Sequence, residues 1–595
     1  MKKLFSRLLA LLLACVTLAS VQMPAFAQET AVAQNTAPPP STGRHTITKR
    51  YYTAYLGSLD KTAPDRFSLY FMDGVNDLPY VELYSWVDML LYLNHSFRKD
   101  PGYKLSVLVE DSYVILEREN KCTLELDFEN ELMIFEDYDS FIHKSSDGSL
   151  IDLLGKSGFN DSGDVSLFKR SWRSSFDRYG DFLTVDLKNY GIDLIAQDGK
   201  FYMPLQTMND FLLSLPQQAS FLFNGQALFF ANDSYFYDYR VKAYTPYAER
   251  YYTAPKGKRS VELANFSYNE LCLVLDTFYG LKEPHEIDSI HRFFWQIEYD
   301  EYLSGTSAWD ADITLKNFIN YYLDDLHSGF NAYSYLSGKH DISSSTGLSN
   351  RQKEGHIAEY EASRKKYYPK GCPDYEEIGD TAFVTLDSFT SYYTTESFYG
   401  ASDMSRLTDD TIGLIVYAHG RIMRKGSPIK KVVLDLSNNT GGAVDAALFL
   451  MGWVMGDAPL SIKNTATGAM STAIYRADVN LDRVFDEKDT LAGKKVYCLI
   501  SPVSFSCGNS VPAAFKSAQA ATIIGRTSGG GSCIVQNLTT AHGSVFQISS
   551  AYRMSFLKNG SFYDIDQGVD PDYYINDIAH FYDRKSLVKY LNSLY

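Results

Sequence analysis

The chain has 595 residues, enough for about two to four domains, and 45% of them are hydrophobic against 22% charged. That balance fills a core and excludes wholesale disorder, while ordinary totals of 39 Gly and 19 Pro exclude collagen-like and low-complexity architectures. A formal net charge of −16 argues against a nucleic-acid or anionic-membrane binder, which presents a basic surface.

The N-terminus has the layout of a secretory signal peptide over residues 1–27. Lys2, Lys3 and Arg7 form a basic start, Leu8 to Leu18 an apolar stretch, and Ala25-Phe26-Ala27 a small-residue cleavage site before Gln28. The apolar stretch is too short to span a membrane. The expected product is a secreted or cell-surface protein whose formal charge, without those three basic residues, is −19. Cys15 after Leu12-Leu13-Ala14 offers a lipoprotein alternative, which Leu13 fits poorly. Residues 28–44, with Pro38-Pro39-Pro40, read as a flexible linker.

Residues 45–244 read as a β-rich N-terminal domain. Leu105-Ser106-Val107-Leu108-Val109 and Cys122-Thr123-Leu124-Glu125-Leu126 alternate in the manner of strands. An internal repeat joins Tyr80–Leu90 to Tyr202–Leu212; each half predicts a short strand, a Ser/Thr helix cap and an amphipathic helix. The repeat resembles the N-terminal stalk domain of copper amine oxidases, which implies a spacer or a cell-wall or surface contact. A plain packing repeat is the alternative.

From 245 onward the pattern changes. Residues 285–330 predict a helical lead-in, with Ile290, Phe293, Phe294 and Ile297 at helical spacing. Residues 338–371 are polar, contain Ser343-Ser344-Ser345, and read as a mobile loop or insert. Strands then alternate with helices over 375–575: strand 381–386, helix 404–423, strand 431–436, helix 443–454, strand 495–500, helix 507–518 and strand 521–525. That order predicts an α/β core.

Three short segments there carry chemistry. Leu434-Asp435-Leu436-Ser437-Asn438-Asn439-Thr440-Gly441-Gly442 takes a buried strand into a glycine turn, where bare backbone N–H groups suit an oxyanion hole, a phosphate or a simple turn. Ser504-Phe505-Ser506-Cys507-Gly508-Asn509 places Ser506 between strand and helix, as an exposed nucleophile or an ordinary N-cap. Leu323-Asp324-Asp325-Leu326-His327-Ser328-Gly329 puts a histidine at a helix end, as a base or a C-cap.

In this order the three segments resemble the carboxyl-terminal processing (tail-specific) serine peptidases over roughly residues 285–575, about half the chain. Gly525, Thr527-Ser528-Gly529 and Gly568-Val569-Asp570-Pro571-Asp572 continue the match. The resemblance implies a crotonase-like, ClpP-like spiral of ββα units and hydrolysis of a peptide or protein substrate. The chain departs from the Ser–Lys branch: Gly530 stands where that branch has lysine, and no lysine occurs between Lys516 and Lys558. Only 45 residues separate Phe330 from Glu376, too few for the PDZ domain of that branch. Asp325-Leu326-His327-Ser328 instead resembles the tricorn core, which uses a histidine base. The resemblance implies Ser506 as nucleophile, His327 as base, Gly442 and Cys507 N–H groups as the oxyanion hole with Gly441 in second place, and Asp566 as acid partner, with Ser328 as an alternative. It also brings Cys507 near Cys533, as a disulfide or two buried thiols. No cofactor is required for this chemistry.

A separate acidic loop sets Asp478, Asn480, Asp482, Val484, Asp486 and Asp489 at the spacing of a calcium loop, with Val484 giving its carbonyl. It resembles dockerin and EF-hand loops and implies a structural Ca²⁺; a solvated acidic loop is the alternative. The expectation is a secreted serine peptidase, weighed against an esterase and a non-catalytic surface or peptide-binding protein on the same fold.

Overall fold

The C-terminal half is organised around a mostly parallel sheet. In this computed structural model, which describes residues 44–97, 102–118, 122–142, 166–238, 243–340 and 347–594, its strand order is Tyr375–Ile378, Thr381–Thr385, Lys431–Asp435, Lys495–Ile500, Thr522–Gly525 and Tyr573–Tyr574. The first pair is antiparallel and the rest are parallel. Register sets Val384 beside Leu434, Leu434 beside Cys498, and Cys498 beside Ile523, all fully buried. Parallel strands covered on both faces read as continuous apolar runs, which is why these were visible in the sequence.

Each face of the sheet has its own cover. Val384, Leu434, Cys498 and Ile523 join the main core with Phe449 and Trp453 of helix Val444–Met455 and Phe515 of helix Cys507–Ala518. Phe383, Val433, Tyr497 and Ile524 face the other way, against Tyr360, Phe581, Tyr582 and Leu587. Tyr360 belongs to a 20-residue helix, Leu348–Tyr367, where the sequence suggested a mobile loop or an insert, and the loop is the part that the helix contradicts. That expectation fails because only Tyr360 and Ser363 of this helix are buried, so it shows no apolar period. Strong helix formers, and Arg364, Lys365 and Lys366 in the last turn, sustain it instead.

A second sheet positions the histidine segment. Strand Gly329–Ala332 pairs with the long strand Val545–Lys558, which also pairs with Ala458–Asn464 and Cys533–Thr539. Strands Phe168–Arg170 and Ser175–Arg178, from the region read as N-terminal, add to the other edge through Met470–Ala477. Residues His45–Tyr595 cluster as one unit.

The repeat halves meet each other. Tyr202 pairs with Glu82, Met203 with Val81 and Pro204 with Tyr80 in a five-stranded antiparallel sheet. Helices Leu83–Tyr92 and Leu205–Leu212 follow. The expected Ser/Thr caps are not used. Glu82 caps the first helix through Ser85 N–H, and Thr207 in the second donates to Glu270 at 2.7 Å. The signal peptide and Cys15 lie outside the described residues.

Candidate active site

Ser506 ends the turn between strand Lys495–Ile500 and helix Cys507–Ala518, with φ +58° and ψ −123°. Left-handed φ is costly for a side-chain-bearing residue and persists where surrounding contacts enforce it. Here Ser506 N–H donates to Gly530 O at 2.9 Å, Phe505 N–H to Asn439 O at 3.0 Å, and Ser504 Oγ to Leu436 O at 2.7 Å. The Ser506 side chain makes no capping hydrogen bond, so the N-cap alternative does not describe it. Ser506 is half-buried.

The glycine turn lies against it. A Cβ on Gly441 would sit 2.7 Å from Ser506 Cβ and 3.2 Å from Oγ. Gly441 has φ +102° and Gly442 +134°. Gly441 N–H already donates to Asn439 Oδ1 at 2.8 Å, and Gly441 O accepts from Phe389 N–H. Gly441 is therefore spoken for as a donor. Cys507 opens a helix, where N–H groups lack intrahelical acceptors, and the Gly442 and Cys507 N–H groups both lie beside the Cys507 thiol.

His327 is buried, and its ring packs on Phe505, the residue before Ser506, with ring centres 4.7 Å apart. No hydrogen bond between the ring and Ser506 Oγ is recorded among the described residues, and apo sites often show such loose geometry. The backbone of His327 is held at both ends: its N–H donates to Asp325 Oδ1 at 3.0 Å, and its carbonyl accepts from Gln547 Nε2 at 2.8 Å. Asp325 anchors the turn, also accepting from Ser328 N–H, Ser328 Oγ, Tyr279 Oη and Ser549 Oγ. Burial pushes the His327 pKa down to about 4, opposed by the Asp325 charge, deepened by Lys353 and opposed again by Asp566.

The candidate acid partners are occupied. Asp566 Oδ1 accepts from Ser532 N–H at 2.9 Å and Ser532 Oγ at 3.2 Å, and it reaches His327 through charge. Ser328 Oγ donates to Asp325. Gly530 explains the missing lysine: at φ +80° its Cβ would fall 1.9 Å from Asp566 O. Lys516 lies elsewhere, bonded to Asp570 O and 3.4 Å from Asp572. Asn509 ties the neighbouring loops together, donating to Ile565 O at 2.9 Å and accepting from Ser528 Oγ at 2.7 Å.

Cys507 and Cys533 are free buried thiols rather than a disulfide. Cys507 Sγ lies 3.4 Å from Gly442 O, and burial pushes its pKa up to about 12. In the acidic loop, Asp478 accepts from Asp482 and Arg483 N–H groups and from Tyr399 Oη. Asp489 accepts from Val479, Asn480 and Asp486 N–H groups, Asp482 from Val484 N–H and Asp486 from Lys488 N–H. Among the described residues, no group of three or more His, Cys, Asp or Glu side chains is poised around a common metal position.

One neighbour was missed from sequence. Lys353, on helix Leu348–Tyr367, places Nζ 4.8 Å from the centre of the Phe505 ring. The dense run of helix formers from Leu348 was the signal for its helix; nothing in the sequence tied it to Ser506.

Residues 382–575 match the family model for peptidase family S41. No curated protein matches the chain. Among solved structures, a lipoprotein from Streptococcus agalactiae is similar at 12% identity and TM-score 0.36, over 55% of this chain and 95% of that one. Mature CPAF is similar at 12% identity and TM-score 0.35, over 56% and 96%. The tricorn protease is similar at 11% identity and TM-score 0.30, over 83% and 58%. At such scores these likenesses carry no argument about the site. The family match alone bears on function: residues 382–575 match peptidase family S41, which supports a serine peptidase.

Proposed function

We propose that the chain hydrolyses peptide bonds through an acyl-enzyme, with Ser506 as nucleophile and His327 as general base. The observation that carries this reading is Ser506 itself: a strained strand-to-helix serine, uncapped, pressed against Gly441, with the His327 ring on the adjacent Phe505. The neutral imidazole takes the Ser506 proton as Oγ attacks the carbonyl carbon. Gly442 and Cys507 N–H groups stabilise the oxyanion. The imidazolium then protonates the leaving amine, and a water deprotonated by His327 releases the acid. Asp325 holds the His327 backbone, and Asp566 adds negative charge nearby.

The same reading takes the sheet and its helices as a crotonase-like spiral and the protein as exported behind residues 1–27. Residues 45–244 then serve as a spacer or surface contact, and Ca²⁺ in the 478–489 loop as a structural ion alone. The test is digestion of a proteome-derived peptide mixture by residues 28–595, read by mass spectrometry. New termini that vanish in Ser506→Ala support the reading; cleavage that persists in that variant overturns it.

A further inference from the structure

Lys353 and His327 contact the same ring. The Lys353 ammonium lies 4.8 Å from the Phe505 ring centre and the imidazole centre 4.7 Å from it, and Ser506 is the next residue. The ammonium is near enough for its charge to lower the His327 pKa. Lys353 is half-buried, and desolvation alone pushes its own pKa down.

The carboxylates of the His327 turn and of the 564–566 loop are otherwise engaged. Asp325 is held by the His327 turn, Tyr279 and Ser549. Asp324 accepts from Ser349 N–H, Asp566 from Ser532, and Asp564 from Arg553. No ion pair or hydrogen bond of the Lys353 ammonium is recorded among the described residues. Other half-buried lysines differ: Lys431 pairs with Asp380 at 2.8 Å and Lys282 with Asp276 at 3.3 Å. Withdrawing an ammonium from water without a counter-charge is unfavourable, and a phenyl face offsets only part of that cost.

We propose that Lys353 forms a carboxylate-binding subsite beside Ser506, selecting peptides with an acidic group near the scissile bond. That group is an Asp or Glu side chain. The inference rests on Ser506 being the nucleophile. A bound carboxylate neutralises the ammonium and removes its effect on His327. The acid limb of kcat therefore lies at higher pH than that of kcat/KM.

The test begins with cleavage sites in the proteome-derived peptide mixture. Synthetic peptides from those sites are then compared in three forms: with the acidic side chain, with its amide, and with the C-terminus free or amidated. Wild type is expected to favour the carboxylate form about tenfold or more in kcat/KM. Lys353→Met brings the ratio near one, and Lys353→Arg retains part of it. A preference carried by the free C-terminus alone, unmoved by the side-chain amide, overturns the proposal. A ratio near one in wild type overturns the subsite whether or not the variants fold, as does a ratio that Lys353→Met leaves intact. Fluorophosphonate labelling of wild type separates the failures. Labelled enzyme without preference removes the subsite alone; unlabelled, inactive enzyme removes the Ser506 reading and the subsite with it.

Discussion

Replacing Gly530 with alanine strikes the turn where the Ser–Lys branch keeps its base. At φ +80° a side chain costs about 1–2 kcal/mol. The new Cβ would lie 1.9 Å from Asp566 O and 3.3 Å from Gly568 N, atoms of backbone that cannot rotate away. Moving that loop adds overpacking of about 1–3 kcal/mol, for a total of about 2–5 kcal/mol. The damage reaches Ser506, because Gly530 O accepts the Ser506 N–H and Asp566 O accepts the Gly531 N–H. A displacement of 1 Å there is worth about 100-fold in rate. Differential scanning fluorimetry and the rate of fluorophosphonate labelling are the assays. Both should fall in Gly530→Ala, and Gly530→Lys should fall further rather than gain a lysine base. Wild-type melting and labelling in Gly530→Ala would refute the steric argument.

Other consequences are open to measurement. His327 takes its proton near pH 4 when folded and near 6.5 when unfolded, so the acid limb of kcat/KM should lie near 4. The folded state binds fewer protons between those values, so stability falls as pH drops from 6.5 to 4, by about 3 kcal/mol; urea melts of His327→Gln should lack this loss. Asp325→Ala leaves two N–H groups and three hydroxyls without their acceptor and should cost about 2–4 kcal/mol in denaturant titrations, with activity falling as His327 loses its anchor. Denatured, unreduced protein over 28–595 should alkylate at both Cys507 and Cys533; an intact bridge in the peptide map would contradict the free thiols. If the 478–489 loop takes Ca²⁺, melting temperature rises with added Ca²⁺ and chelator reverses it; no change at any concentration removes the ion.

The buried strands of the sheet were legible because a parallel strand covered on both faces is apolar throughout, as in Val432-Val433-Leu434. Ser506 was legible from its place between such a strand and a helix, and the helix Cys507–Ala518 starts where the sequence put it. His327 depended on a short motif, since its position comes from strand Gly329–Ala332 pairing with residues more than 200 positions later. Helix Leu348–Tyr367 was invisible to periodicity because it buries only Tyr360 and Ser363. Lys353 was hidden with it. Asn509 had no reading from sequence, because its bonds reach Ile565 and Ser528, loops that meet only after folding. The helix starts at Leu83 and Leu205 were shifted because an acidic side chain and a bare Pro204 stand in the cap positions where Ser and Thr were expected.

The central claim is that Ser506 is a nucleophile activated by His327. Its most direct test is fluorophosphonate labelling of residues 28–595, read by intact mass and by the labelled peptide. The account predicts one adduct on Ser506, absent from Ser506→Ala and lost from a folded His327→Ala. No adduct on folded wild type, or undiminished labelling in His327→Ala, would contradict it.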